Sequence, residues 1–142
     1  YFSELKRCSK NQIIWGGNYY DLPPCRGFVI WDKKQPEDIS FASCEFAWTS
    51  FDTSARTFYY SPLQEKGQRI HPTQKPVALY EWLLMKYAKE GWRILDTHLG
   101  SGSSRIAAYN LGFEFVGCEI EPTYFQLQEQ RFAEHTAQER MW

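Results

Sequence analysis

The sequence predicts an α/β fold built on a Rossmann-like sheet, and three observations lead there. Strand, glycine-bearing turn, helix, strand and helix follow one another over residues 92–138, the βαβ order of a parallel sheet with helical cover. Gly100 and Gly102 lie in the turn that leaves the first of these strands, the edge at which open α/β sheets bind ligands. Ahead of them, short apolar runs separated by chain-breaking residues fill roughly the first sixty positions.

In chain order, residues 1–9 read as the end of a helix, with Phe2 and Leu5 on one side and Lys6 and Arg7 on the other. Gln12 to Trp15 is a short apolar strand, stopped by Gly16-Gly17-Asn18. Pro23-Pro24 interrupts the chain, and Gly27 to Asp32 is a second strand. Cys44 to Phe51 alternates as a third strand, and Arg56 to Tyr60 is a fourth, expected to pair with it as an antiparallel hairpin at one edge of the sheet. Residues 61–75 are a loop. Pro76 then opens a helix at no hydrogen-bonding cost, and its apolar face runs from Val77 through Leu79, Tyr80, Leu83 and Leu84 to Tyr87, with Gly91 as the stop. Trp92 to Asp96 reads as a buried strand. A helix from about Ser103 to Leu111 stops at Gly112, Phe113 to Ile120 is a further strand, and Pro122 opens a last helix to about residue 138.

Composition narrows the function. With 43% hydrophobic residues the 142-residue chain can bury a core, so it is not a disordered segment. No run approaches the roughly 20 apolar residues of a membrane span, and no signal peptide is seen. Cys8, Cys25, Cys44 and Cys118 are irregularly spaced with no CxxC pair. That argues against a zinc site or disulfide framework and for reduced, mostly buried thiols in a cytoplasmic protein; no metal is expected. Residues 1–95 carry 13 Lys+Arg against 10 Asp+Glu, net +3, while residues 96–142 carry 3 against 7, net −4. A phosphate backbone would meet the first part.

The chemistry concentrates in Asp96-Thr97-His98-Leu99-Gly100-Ser101-Gly102. The two glycines let a ligand approach the backbone, and Glu119 ends the next strand, where a carboxylate can accept from both hydroxyls of a ribose. A dinucleotide turn wants a third glycine, where this chain has Arg105. Asp96 would repel a pyrophosphate but suits an ammonium. The turn therefore favours S-adenosylmethionine over a dinucleotide, with a purely structural strand–turn–helix as the third reading. Trp15, Tyr19, Tyr20, Trp31 and Trp48 could line a base pocket, although core packing accounts better for most of them.

The segments HPTQKPVALYEWLL (71–84), ILDTHLGSGSSRIAAYNLGFEFVGCEIEPTYF (94–125) and NQIIWGGNYY (11–20) resemble the β-group, circularly permuted DNA amino-methyltransferases, and most of all the prophage-type adenine methyltransferases. The resemblance implies a Rossmann-like S-adenosylmethionine-dependent methyltransferase sheet with the catalytic half first and the cofactor half last. It implies a cofactor loop of Asp96, Gly100, Ser101 and Gly102, and Glu119 on the ribose. It also implies that His71, Thr73, Lys75 and Pro76 close over the methionine end. The family's usual Pro and Phe after the aspartate are here Thr97 and His98, and the His98 imidazole can still stack or donate at the cofactor. Double-stranded DNA is the implied partner, with Arg56, Lys66 and Arg69 on phosphates from the 44–60 and 61–75 segments. The target is an exocyclic amine, adenine before cytosine, and the host a bacterium or phage. Assembly is open between monomer and homodimer.

The family holds the flipped base with Asp-Pro-Pro-Tyr or a close variant. Asp21-Leu22-Pro23-Pro24-Cys25 comes nearest but carries an inserted Leu22 and lacks the terminal aromatic, so a Pro-Pro loop is the simpler reading. The motif is expected upstream of Tyr1. The chain then reads as one methyltransferase domain incomplete at its N-terminus: strands that follow the catalytic loop (1–60), a loop (61–75) and the cofactor-binding half (76–142). On this reading the chain alone is inactive. The alternatives are a nicotinamide-dependent oxidoreductase and a non-catalytic DNA- or cofactor-binding module.

Overall fold

The computed structural model describes residues 1–141. The chain divides into two compact units, Tyr1–Gln64 and a second that begins at Glu65.

The first unit starts with α1 (Phe2–Cys8) and carries a four-stranded sheet of β1 (Ile13–Trp15), β2 (Val29–Asp32), β3 (Cys44–Thr49) and β4 (Arg56–Tyr59), in the order β1-β3-β2-β4. β3 runs antiparallel to both β1 and β2, whereas β2 and β4 are parallel. The expected β3–β4 hairpin is therefore wrong. β2 lies between those two strands, with Val29 facing Ala47 on one side and Arg56 on the other. The six residues between β3 and β4 contain no glycine for a tight turn. They cross to the far side of β2 over Gly27, where an added Cβ would stand 2.4 Å from the Phe51 carbonyl oxygen.

β2 turns Val29 and Trp31 to one buried face and holds Ile30 and Asp32 half-buried on the other. Val29 and Trp31 are shielded from solvent with Ala47, Trp48 and Ile14. The indole N–H groups of this core find carbonyls: Trp31 donates to Tyr60 at 2.9 Å and Trp48 to Pro23 at 2.7 Å. Buried Thr49 donates its hydroxyl to the Gly27 carbonyl. The aromatic set of the sequence thus splits: Trp31 and Trp48 are core, while Tyr19 and Tyr20 are exposed.

The second unit holds α2 (Val77–Tyr87), β5 (Arg93–Asp96), α3 (Ser103–Leu111), β6 (Glu114–Gly117) and α4 (Pro122–Arg140). α2 buries Leu79, Leu83 and Tyr87, and α3 buries Ile106, Ala107 and Ala108. The two helices pack against each other, and the alanines let their backbones approach. α2 ends at Tyr87, not at Gly91, which instead closes the following turn in a left-handed conformation. β5 and β6 pair in parallel with Asp96 opposite Gly117.

Two further expectations are corrected. β5 is not a buried strand. Arg93 and Leu95, opposite Glu114 and Val116, lie on a face open to solvent among the described residues, while the alternate residues face inward. The cysteines are not mostly buried either. Cys8, Cys44 and Cys118 are exposed, because each sits at an element end or on an open face rather than at a core position.

Candidate cofactor site

The site is built where β5 and β6 end side by side. As the chain leaves β5, the Asp96 carboxylate turns back on its own loop, accepting the His98 N–H at 3.0 Å and the Ser104 hydroxyl. The sheet pairing is extended past the strands by Cys118 N–H on the Asp96 carbonyl and Leu99 N–H on the Cys118 carbonyl. Leu99 is buried and seats the turn against Gly117. Glu119 then spans the gap. Its Oε1 accepts the Gly100 N–H at 2.8 Å, and its Oε2 accepts the Glu121 N–H at 3.0 Å. Both carboxylates are thus oriented by backbone donors of the same short region.

Gly102 is the N-cap of α3 at φ +77°, and a Cβ there would lie 3.1 Å from Cβ of the fully buried Gln128. Gly102→Ala is expected to lower stability by about 1–2 kcal/mol from the left-handed backbone alone. A matching drop in thermal midpoint checks it; an unchanged midpoint contradicts it.

Of the 71–75 residues, His71 joins the turn. Its ring carbons lie within 3.7 Å of where a Gly100 Cβ would be, and its ring centroid is 4.3 Å from that of Tyr124 in α4. The Thr73 N–H donates to His71 Nδ1 at 3.2 Å, which leaves the neutral ring its proton on Nε2. Lys75 is half-buried just before Pro76. His98 is exposed, with its Nδ1 2.9 Å from the Thr97 hydroxyl. Ser101 is buried, and its hydroxyl faces Ser103 rather than solvent. Arg69 directs its guanidinium to the Pro72 and His71 carbonyls, closing its own loop. Lys66 is exposed and Arg56 half-buried. Asp21 to Cys25 form a loop with no regular structure.

Several participants were not evident in the sequence. Arg105, at the place of a third glycine, points away from the turn to α4. There it donates to Glu129 and Gln128 and lies 3.8 Å over the Phe132 ring. The Arg105 and Gln128 hydrogen bonds hold the Glu129 carboxyl below its ordinary pKa. Arg131, one helical turn beyond Gln128, reaches the Ser101 carbonyl and pairs with Glu65. Burial pulls the Arg131 guanidinium below its ordinary value, with Glu65 opposing the shift. Ile120, beside Glu119, is 97% exposed. The only sequence signal for Gln128 and Arg131 was their three-residue spacing on one helix face.

Residues 10–130 match the family described as DNA methylase, N6/N4 type. A type II methyltransferase of Lactococcus lactis subsp. cremoris, M2.LlaDCHI, is 37% identical over 130 residues, covering 87% of this chain and 42% of that protein. M2.DpnII of Streptococcus pneumoniae, also a type II methyltransferase, is 40% identical over 67 residues, covering 47% of this chain and 25% of that protein. The chain thus matches less than half the length of either relative. Among solved structures, the M1.HpyAVI–SAM complex superposes with a TM-score of 0.60 at 29% identity, covering 75% of this chain and 60% of that one. With the family match extending through both strand-end carboxylates and the turn between them, the chain belongs to the N6/N4 DNA methylase family.

Proposed function

We propose that the protein takes S-adenosylmethionine as cofactor and acts on the exocyclic amine of a DNA base, adenine rather than cytosine. The observation that carries this reading is the pair of carboxylates, Asp96 and Glu119, fixed by the backbone of one glycine-bearing turn at the ends of adjacent parallel strands. That donor set fits the cofactor, being acidic where an ammonium and a sulfonium must be held. Asp96 would attract the ammonium. Glu119 would accept from the ribose hydroxyls, and after its two backbone bonds it still has acceptor capacity. Ile120 offers apolar surface for a purine, and His71, Thr73 and Lys75 would bound the methionine end beside Gly100. Bound there, S-adenosylmethionine supplies a methyl group on a sulfonium, open to attack by an amine. The chain's own part is to bind and orient, and orientation contributes much of the rate of such a transfer.

Duplex DNA is the proposed substrate, met by Arg56, Lys66 and Arg69 on phosphates, which position without reading sequence. The proposed setting is the cytoplasm of a bacterium or phage-infected cell. No helix among the described residues is long and apolar enough to cross a membrane. The sequence contains no Asp-Pro-Pro-aromatic run, so nothing in it supplies the acceptor pair for the target amine, and this polypeptide by itself transfers no methyl group. The loop conformation of Asp21 to Cys25, whose Pro23 carbonyl is taken by the Trp48 indole, supports that view.

Calorimetry and a labelled-methyl assay test both parts. The chain should bind S-adenosylmethionine and not NADH, and should leave duplex DNA unlabelled. Preferential NADH binding would select the oxidoreductase reading, and labelled DNA would overturn the inactivity of this chain.

A further inference from the structure

Arg131 projects from α4 and joins two segments of the second unit that are distant in sequence. Its Nη1 donates to the Ser101 carbonyl at 3.0 Å and to the Ser103 hydroxyl at 2.8 Å, while its Nη2 lies 3.4 Å from Oε1 of Glu65. The same Glu65 oxygen accepts the Val77 N–H at 3.1 Å, in the first turn of α2. The Arg131 and Glu65 side chains are each 17% exposed. The turn with Gly100 and Gly102, the start of α3, and the loop leading into α2 therefore meet on one guanidinium.

This is a costly way to hold a fold together. A cation beside Ser103 stands at the N-terminus of α3, where the helix dipole disfavours positive charge. A mostly buried ion pair contributes little net stability against an apolar substitute. What the pair does supply is geometry. A guanidinium is planar, with donors in a rigid fork, so it can set the Ser101 peptide in one orientation. Ser101 follows Gly100, whose N–H anchors Glu119, and precedes Gly102, whose N–H bonds Leu99.

We propose that Arg131 is a positioning residue for the cofactor turn, holding the Ser101 peptide so that the Gly100 N–H and Glu119 stay aligned, with Glu65 fixing the guanidinium. Arg131 acts through the turn and does not itself touch the cofactor. The proposal rests on the S-adenosylmethionine reading for its functional consequence, but its structural half can be measured without ligand.

Three variants test it: Arg131→Met, Arg131→Lys and Glu65→Gln, with Leu83→Ala as a destabilising control in the α2 core. Calorimetry with S-adenosylmethionine should show a loss of about tenfold or more for Arg131→Met, the scale of losing hydrogen bonds from a charged group. Arg131→Lys should recover only part of this, because an ammonium keeps the charge without the fork. Glu65→Gln should lose less than Arg131→Met, since an amide oxygen can still accept. Leu83→Ala should lower the melting midpoint while leaving affinity unchanged. Without ligand, exchange of the Gly102 amide should quicken at least several-fold in Arg131→Met, with the Leu95 and Val116 amides unchanged. Arg131→Met binding like wild type, full rescue by lysine, or unchanged Gly102 exchange would each overturn the proposal. If the wild-type chain fails to bind S-adenosylmethionine, the cofactor reading falls, and the exchange experiment still decides the role of Arg131.

Discussion

Replacing Glu119 by alanine should weaken S-adenosylmethionine binding by about 1–3 kcal/mol, roughly five- to 150-fold in dissociation constant. Two losses combine. The ribose would lose its proposed acceptor, and the turn would lose the anchor on the Gly100 N–H, at 2.8 Å from Oε1. The Glu121 N–H, which precedes the first turn of α4, loses its acceptor as well. Glu119→Gln separates these effects. Its amide oxygen can replace one carboxylate oxygen but not both, so its affinity should fall between wild type and alanine. Asp96→Ala should behave comparably, because it strips the acceptor from the His98 N–H and the Ser104 hydroxyl besides removing the carboxylate proposed to attract the ammonium. Calorimetry reads all three. An affinity within twofold of wild type for both alanine variants would remove the basis of the cofactor assignment.

The largest stability loss is expected in the first unit, from Trp31→Ala, at about 3–5 kcal/mol. Trp31 is 2% exposed on the central strand β2 and is the largest of the fully buried side chains. Its removal opens a cavity on the buried face of β2, whose backbone is hydrogen-bonded to a strand on each side and so cannot shift freely to close it. It also leaves the Tyr60 carbonyl without the indole donor just past β4. Against a typical domain stability of about 5–15 kcal/mol the loss is severe. Trp31→Phe retains most of the packing and should cost less. Denaturant unfolding followed by circular dichroism measures both, and equal losses would show that the hydrogen bond, not the volume, dominates.

The parts of the fold that could be read from the sequence are those whose signals are local. Pro76 and Pro122 at helix starts and Gly112 at a helix end each report on a neighbour a few residues away. The geometry of the candidate site was legible for the same reason. Asp96, Gly100 and Gly102 belong to one turn, and Glu119 ends the next strand, so order along the chain already implied that they converge. The pairing of β4 was not legible. Whether it joins β3 or β2 depends on the path of residues 50–55 over Gly27, a contact made across the sheet. Nor was the exposure of Leu95 and Val116, since an apolar strand reads alike whether or not both of its faces are covered.

The sequence by itself determined the order of elements, the acidic residues at the ends of two consecutive strands and the glycines between them. Covalent proximity and side-chain chemistry suffice for those. Only the tertiary structure decided that Ser101 turns inward, that Arg105 serves α4 rather than the turn, and that Arg131, thirty residues away, holds the Ser101 carbonyl. Those assignments depend on which donors and acceptors are left to one another once α3 and α4 have packed. Buried polar groups must find partners, but sequence order does not say which partners packing will bring within reach.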